Sequence, residues 1–171
     1  MEPIVNLSLL YGAILSVVLS VMVMISLRIN AEIWAHDYPP DVKAKYGPIS
    51  ERSRRQKNLF AALFFAVLAS VLVLTIVRIG QLTGGAPSFF QLAAGVFIVA
   101  MMFNLVDLLV LDWLILGFIQ PSFVILPGTE GMAGYKDYGF AFRGFLTGTV
   151  GIVAASLVIA GIAFAVFRLL A

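Results

Sequence analysis

Asp107 and Asp112 stand inside the third of four long apolar runs, in the stretch Asn104-Leu-Val-Asp107-Leu-Leu-Val-Leu-Asp112-Trp113. The other three runs, 4–27, 58–77 and 144–167, contain no charged residue. A carboxylate at mid-membrane depth costs about 2.5–3.5 kcal/mol on insertion scales, so it is kept only with a partner or a task. At about 100° per residue, Asn104, Asp107 and Asp112 fall within an arc of about 140°, with Asn104 in the middle. Ala93, Phe97 and Ala100 share that side, so the face turns polar only toward one end. A span entering lipid near Gln91 reaches the far boundary near Asp112 after about 20 residues. Asp107 then lies roughly 7 Å inside the hydrocarbon, at about 1.5 Å per residue, and is the costlier of the two. Asp112, beside Trp113, is expected at the interface, where aromatic belts form.

Three arrangements satisfy such carboxylates. Asp107 and Asp112 can pair with Lys136, Arg143 or loop backbone and lock the end of a bundle. They can join Asn104 as ligands for a cation, a proton or a polar solute. They can also join His36, Asp37 or Glu130 in a catalytic or metal site at the membrane surface, since two carboxylates and a histidine suit a divalent ion. His36 is the only histidine. Histidine titrates near neutral pH, so beside Asp37 it can relay protons, although a solvated loop histidine capping local backbone is the plainer reading. Pro127-Gly-Thr-Glu130-Gly131 is glycine-rich but lacks the lysine and spacing of a phosphate loop, and reads as a specialised turn. The candidate ligand-binding residues are therefore Asp107, Asp112, Asn104, His36, Glu130 and Lys136. The leading function is binding or passage of a small cation or polar solute, with Asp107 as principal ligand. The alternatives are a membrane-surface enzyme using His36, Asp112 and Glu130, and a non-catalytic accessory subunit of a membrane complex.

Absent motifs narrow the field. There is no H-E-x-x-H zinc motif, G-x-S-x-G elbow, P-loop or dinucleotide fingerprint. One histidine and no cysteine exclude bis-histidine haem ligation within the chain, thiolate metal sites, disulfides and cysteine nucleophiles. The sequence shows neither broken half-helices nor repeated halves, which argues against a large-transporter design. A small transporter made by oligomerisation is compatible with it. No cofactor and no catalytic residue is assigned.

The elements that must position these residues are membrane helices. With 61% apolar and 12% charged residues, the chain is no ordinary soluble domain. About 20 apolar residues cross a bilayer, and backbone hydrogen bonding in lipid then requires helices, since strand alternation is absent. The expectation is one all-α polytopic membrane domain over 1–171, with four transmembrane helices in a bundle at approximately 4–28, 58–79, 89–119 and 143–168. The first run reads as a retained helix, because no Lys or Arg precedes it and no small-residue cleavage pattern follows. Nine of the eleven Lys and Arg fall in the connecting segments 29–57 and 120–142 or at their edges, including Arg28 and Arg143; only Arg78 and Arg168 fall at the other end. By the positive-inside rule these two loops are cytoplasmic and both termini are outside, in a cell inner (plasma) membrane.

Packing signals accompany the spans. Gly12, Ser16 and Ser20 align on the first helix, and Gly144, Gly148, Thr147, Gly151 and Ala155 on the fourth. Small side chains let helix backbones approach in lipid, either within one bundle or between copies. The second helix, with Leu63, Phe64, Phe65, Leu68 and Leu72, suits a lipid-facing position. Ser88 is placed to cap the third helix. The run Arg52-Ser-Arg54-Arg55-Gln-Lys57 reads as a topology signal touching anionic lipid, and nothing in it indicates nucleic acid. The partners expected are the lipid bilayer and a homo-oligomer or a membrane-protein companion. The loops are unusual. Trp34-Ala-His36-Asp37-Tyr38-Pro39-Pro40 is stiffened by its prolines, and the apolar, aromatic segment 120–138 is expected to fold over the bundle end or against the membrane.

Leu111-Asp112-Trp113, Pro127-Gly-Thr-Glu130-Gly131, Tyr135-Lys136-Asp137-Tyr138 and Arg143-Gly-Phe145, with His36-Asp37-Tyr38-Pro39-Pro40 in the first loop, resemble small bacterial four-helix integral membrane proteins of unassigned function. The resemblance spans most of the chain and implies four spans with a motif-bearing cytoplasmic side. It implies no substrate and no catalytic residue.

Overall fold

The computed structural model describes residues 1–170 and shows an all-α bundle with no strand among them. The helices are α1 (Glu2–Asn30), α2 (Pro40–Tyr46), α3 (Glu51–Leu82), α4 (Phe89–Val106) and α5 (Tyr138–Leu170). Four of these, with α1 counted to Trp34 and α4 to Ile119, are long and apolar enough to cross a membrane, their best windows having mean hydropathy between 2.3 and 2.8. Short 3-10 turns at Ala31–Trp34, Ser122–Val124 and Ala133–Lys136 shape the two long connections.

Two helices begin earlier than hydropathy predicts. α3 starts at Glu51, so Arg52, Arg54, Arg55 and Lys57 ride on helix instead of loop. Ser50 sets this start: its side chain accepts the Ser53 N–H at 3.2 Å, and Glu51 lies in the first turn, where the helix dipole favours negative charge. α5 starts at Tyr138, with the Phe140 N–H donating to Asp137 Oδ1 at 2.8 Å. Hydropathy marks where a helix enters lipid, whereas capping marks where it begins. Ser88 caps α4 in a full capping box with Gln91.

α4 takes the middle of the bundle. It packs on α1 and α5, and α3 lies on α1 and α4. Leu15 and Leu19 of α1, Leu72 of α3 and Val96 and Val99 of α4 form one buried core. Ile4, Ile79, Leu92, Ala93, Ala160 and Ala163 form another, where all four long helices meet. α3 buries the smallest share of its apolar window, in keeping with its bulky outward residues. The buried hydroxyls of Ser8 and Ser16 donate back to their own helix, at Ile4 O and Gly12 O, which offsets their desolvation cost. The small residues divide. A Cβ on Gly12 would sit 3.0 Å from Met102 of α4, so this glycine permits close approach. Gly144 and Gly151 of α5 face open space and do not serve packing within the chain.

The third apolar run changes its winding halfway. From Asp107 to Ile119 it is a π-helix of 13 residues, far longer than the single-turn π-bulges that usually interrupt α-helices. It ends where Gln120 takes the left-handed conformation at φ 47°, with its N–H on Ile115 O at 2.9 Å and Pro121 following.

Candidate functional site

A cavity of about 380 Å³ opens at the loop-covered end of the bundle. Val23 and Leu27 of α1, the α4–π run from Asn104 to Leu116, and Phe140 to Phe145 of α5 form its walls, while Trp34, His36, Asp37 and Tyr38 cross its top. α1 and α5 flank α4 with scant direct packing, and the cavity occupies the cleft between them.

The winding of the π-segment places the carboxylates. In an α-helix, residues five apart are separated by about 140°. In a π-helix, whose hydrogen bonds run i→i+5, the wider turn brings residues five apart onto the same face. Asp107 and Asp112 are five apart, and both line the cavity. The broad arc expected from α geometry is therefore corrected to a single side, with Asp112 one wide turn nearer the loops.

Neither aspartate has a side-chain hydrogen bond or ion pair among the described residues. Three ion pairs occur among the described residues, and they join His36 to Asp37, Arg54 to Glu51 and Arg143 to Asp137. Among the described residues no lysine or arginine lines the cavity. Lys136 and Arg143, the sequence-level candidates for pairing, are exposed, and Arg143 reaches toward Asp137 at 3.8 Å. Among the described residues no three His, Asp or Glu side chains converge closely enough to hold a metal ion.

Asn104 is anchored. Its Nδ2 donates to Phe145 O at 3.2 Å and to Thr149 Oγ1 at 3.1 Å, clasping α4 to α5. Gly148 makes room for it, since a Cβ there would lie 2.8 Å from Asn104 Oδ1. The Oδ1 accepts no hydrogen bond from the described residues. Gly148→Val is expected to push Asn104 off α5 and cost about 1–3 kcal/mol, the range for overpacking a tight contact. Thermal unfolding in detergent checks this, with Gly151→Val, which faces open space, expected to shift stability by no more than about 0.5 kcal/mol.

His36 and Asp37 stand at the mouth, both about half exposed, with His36 Nε2 3.2 Å from Asp37 Oδ2. Partial desolvation of the Asp37 carboxyl beside the cavity raises its pKa, against the opposing pull of His36, Lys57 and Lys43. Lys43 is held by the His36 carbonyl at 3.2 Å and lies 5.8 Å above the Phe140 ring.

The roof is fastened by two tyrosines. Tyr38 is buried and donates to Val124 O at 2.6 Å; its ring meets Tyr135 edge-on at 5.6 Å. Tyr135 OH accepts the Leu126 N–H at 2.9 Å and lies 2.7 Å from Thr129 Oγ1. Ala35, Tyr38, Val42, Leu126 and Tyr135 make a small core outside the bundle. The segment 120–137 thus folds over the bundle end, its Val124 packed with Val23, Leu27 and Leu111. Asp41 Oδ2 accepts the Gly134 N–H at 3.1 Å, and a Cβ on Gly134 would collide with that carboxylate. On the other side, Glu32 takes hydrogen bonds from Ser50 and Ser53, and Asn30 donates to Ser53 and Gln56 at 2.7 Å.

Of the sequence-level candidates, Asn104, Asp107, Asp112 and His36 line the cavity. Glu130 and Lys136 do not. Glu130 is exposed and closes its own turn by accepting the Gly128 N–H at 3.1 Å; these backbone donors hold its carboxyl below the usual range. The set His36, Asp112 and Glu130 is therefore not assembled. Sequence reading missed the wall of Trp34, Tyr38, Phe140 and Phe145. Its signal was the excess of aromatic residues in segments that would otherwise be loops in water. No protein-family model, curated protein or solved structure matches this chain; the structure shows an apolar four-helix bundle consistent with a small membrane protein.

Proposed function

We propose that the chain is a four-span integral protein of a cell inner membrane whose loop-covered end is cytoplasmic, and that the cavity there binds or passes a positively charged solute. Nine of the eleven Lys and Arg gather at that end, which supports this orientation, with both termini outside. The observation that carries the function is the cavity lining: among the described residues Asp107 and Asp112 have no ion pair, and no lysine or arginine lines the cavity to neutralise them. Asp107 is the principal ligand and Asp112 the second. Asn104 fixes the floor and offers its Oδ1, and the His36–Asp37 couple stands at the loop side of the cavity.

The test is ligand-dependent stabilisation of the purified protein in lipid nanodiscs. Melting is followed with chlorides of sodium, potassium, magnesium, calcium and several organic ammonium ions, each compared with the Asp107→Asn/Asp112→Asn double variant. At least one cation is expected to raise the wild-type Tm and to have no effect on the variant. Identical responses of both proteins to every cation would overturn the reading.

Binding should also depend on pH with a definite sign. A cation and a proton compete for Asp37, which faces His36, Lys43 of α2, Lys57 of α3, and Asp107 and Asp112 across the cavity. Because partial desolvation raises the Asp37 pKa, the native state takes this proton more readily than the unfolded state. The unliganded protein therefore gains stability from Asp37 at low pH and loses it as pH rises through the folded pKa. Cation binding runs the other way and weakens as pH falls through that value. Titrations at several pH values should show opposite slopes, the stability slope lying between the ordinary aspartate pKa and the raised folded one, and Asp37→Asn should flatten them.

A further inference from the structure

We infer that the solute is an organic ammonium ion carrying an apolar portion, entering the cavity sideways between α1 and α5. This rests on the cation-binding reading above and names its substrate class. An inorganic divalent ion wants six to eight oxygen ligands or a strict octahedron, and no three acidic or histidine side chains converge to begin such a shell. Asp107 and Asp112 instead sit a turn apart along one side of a space of about 380 Å³, a volume in the range of small-molecule pockets. An ammonium head on an organic frame needs that kind of site: separated carboxylates that supply charge without a closed coordination sphere.

The remaining lining matches the rest of such a molecule. Trp34, Phe140 and Phe145 line the same cavity as the carboxylates. Aromatic faces attract organic cations through the ring quadrupole and are used for quaternary ammonium recognition. Leu27, Leu108 and Leu111 supply aliphatic surface. The α5 wall is low because Gly144, which lines the cavity, has open space where a Cβ would stand. With α1 and α5 scarcely packed together, an apolar tail can remain in the hydrocarbon while the head meets Asp107, which lies a turn farther from the loops than Asp112. No ion pair among the described residues matches its charge.

The experiment measures binding of benzyltrimethylammonium, of its uncharged isostere neopentylbenzene, and of potassium and magnesium to the full chain in nanodiscs. The readouts are Trp fluorescence and Tm. Benzyltrimethylammonium is expected to bind at least tenfold more tightly than either inorganic ion, and neopentylbenzene to give no saturable signal. Asp107→Asn should weaken the organic cation at least tenfold. Phe145→Leu, which keeps apolar volume but removes the ring quadrupole, should weaken it by roughly fivefold, with unliganded melting as the control for folding. Binding confined to inorganic ions and sensitive to Asp107 would overturn this inference while leaving the cation-binding reading in place. Equal binding of neopentylbenzene would overturn it by showing a merely apolar pocket. No Asp107-sensitive binding of any ion would overturn both.

Discussion

Asp107→Asn is expected to leave the unliganded protein at least as stable as the original, with a gain of about 1 kcal/mol, the scale of relieving a buried polar group that lacks compensation. The reason is that no cation among the described residues pairs with Asp107 or lines its cavity. Had Asp107 been one half of a buried ion pair, removing its charge would cost about 3–5 kcal/mol, because the partner would be left uncompensated. The two situations differ in sign, so a single melting curve separates them. The same substitution should remove cation-dependent stabilisation. At a ligand concentration 100 times Kd that stabilisation amounts to about 2.7 kcal/mol, so its loss is easily read. Stability gained together with binding lost is the signature of a residue kept for its task. A destabilised Asp107→Asn protein would point instead to a lock at the bundle end and remove the basis for a ligand there.

The second large effect is expected at Tyr38. Tyr38→Ala removes a buried ring from the core of Ala35, Tyr38, Val42, Leu126 and Tyr135 and should cost about 3–5 kcal/mol, as for other buried aromatic truncations. Tyr38→Phe keeps the ring but leaves Val124 O without its donor at 2.6 Å, and should cost about 1–2 kcal/mol. Burial, with help from Tyr135 and Asp37, raises the Tyr38 phenol above its ordinary pKa, so it stays a neutral donor well into the alkaline range. The damage should be local. Hydrogen exchange is expected to quicken across the 31–46 and 120–137 segments while the middles of α1 and α4 remain protected, since their cores lie at Leu15, Leu19, Val96 and Val99. Unchanged protection of both segments in Tyr38→Ala would show that the roof is fastened by something else.

How far the site was legible can be judged residue by residue. Four apolar runs announce four long helices because each is uninterrupted and the cost of unpaired backbone in lipid leaves no other structure; the third run ends at Ile119 in sequence and structure alike. The starts of α3 and α5 were misplaced because capping by Ser50 and Asp137 is local hydrogen bonding that hydropathy does not register. Asp107 was conspicuous for its cost, whatever lay opposite it. Lys136 looked like a natural partner by proximity along the chain, yet it points to solvent, because the 120–137 segment is pinned inward by Tyr135 and Val124 instead.

The sequence by itself determined that a carboxylate would stand in an apolar helix at the basic end of this protein, since residue type, run length and charge distribution are properties of the chain alone. Only the tertiary structure decided what that carboxylate faces. The π-winding from Asp107 to Ile119 turned two aspartates onto one side, and the Tyr38 and Tyr135 contacts drew two distant loops over them. Helix winding and long-range contact depend on how the elements pack, and the spacing of residues along a single helix does not carry that information.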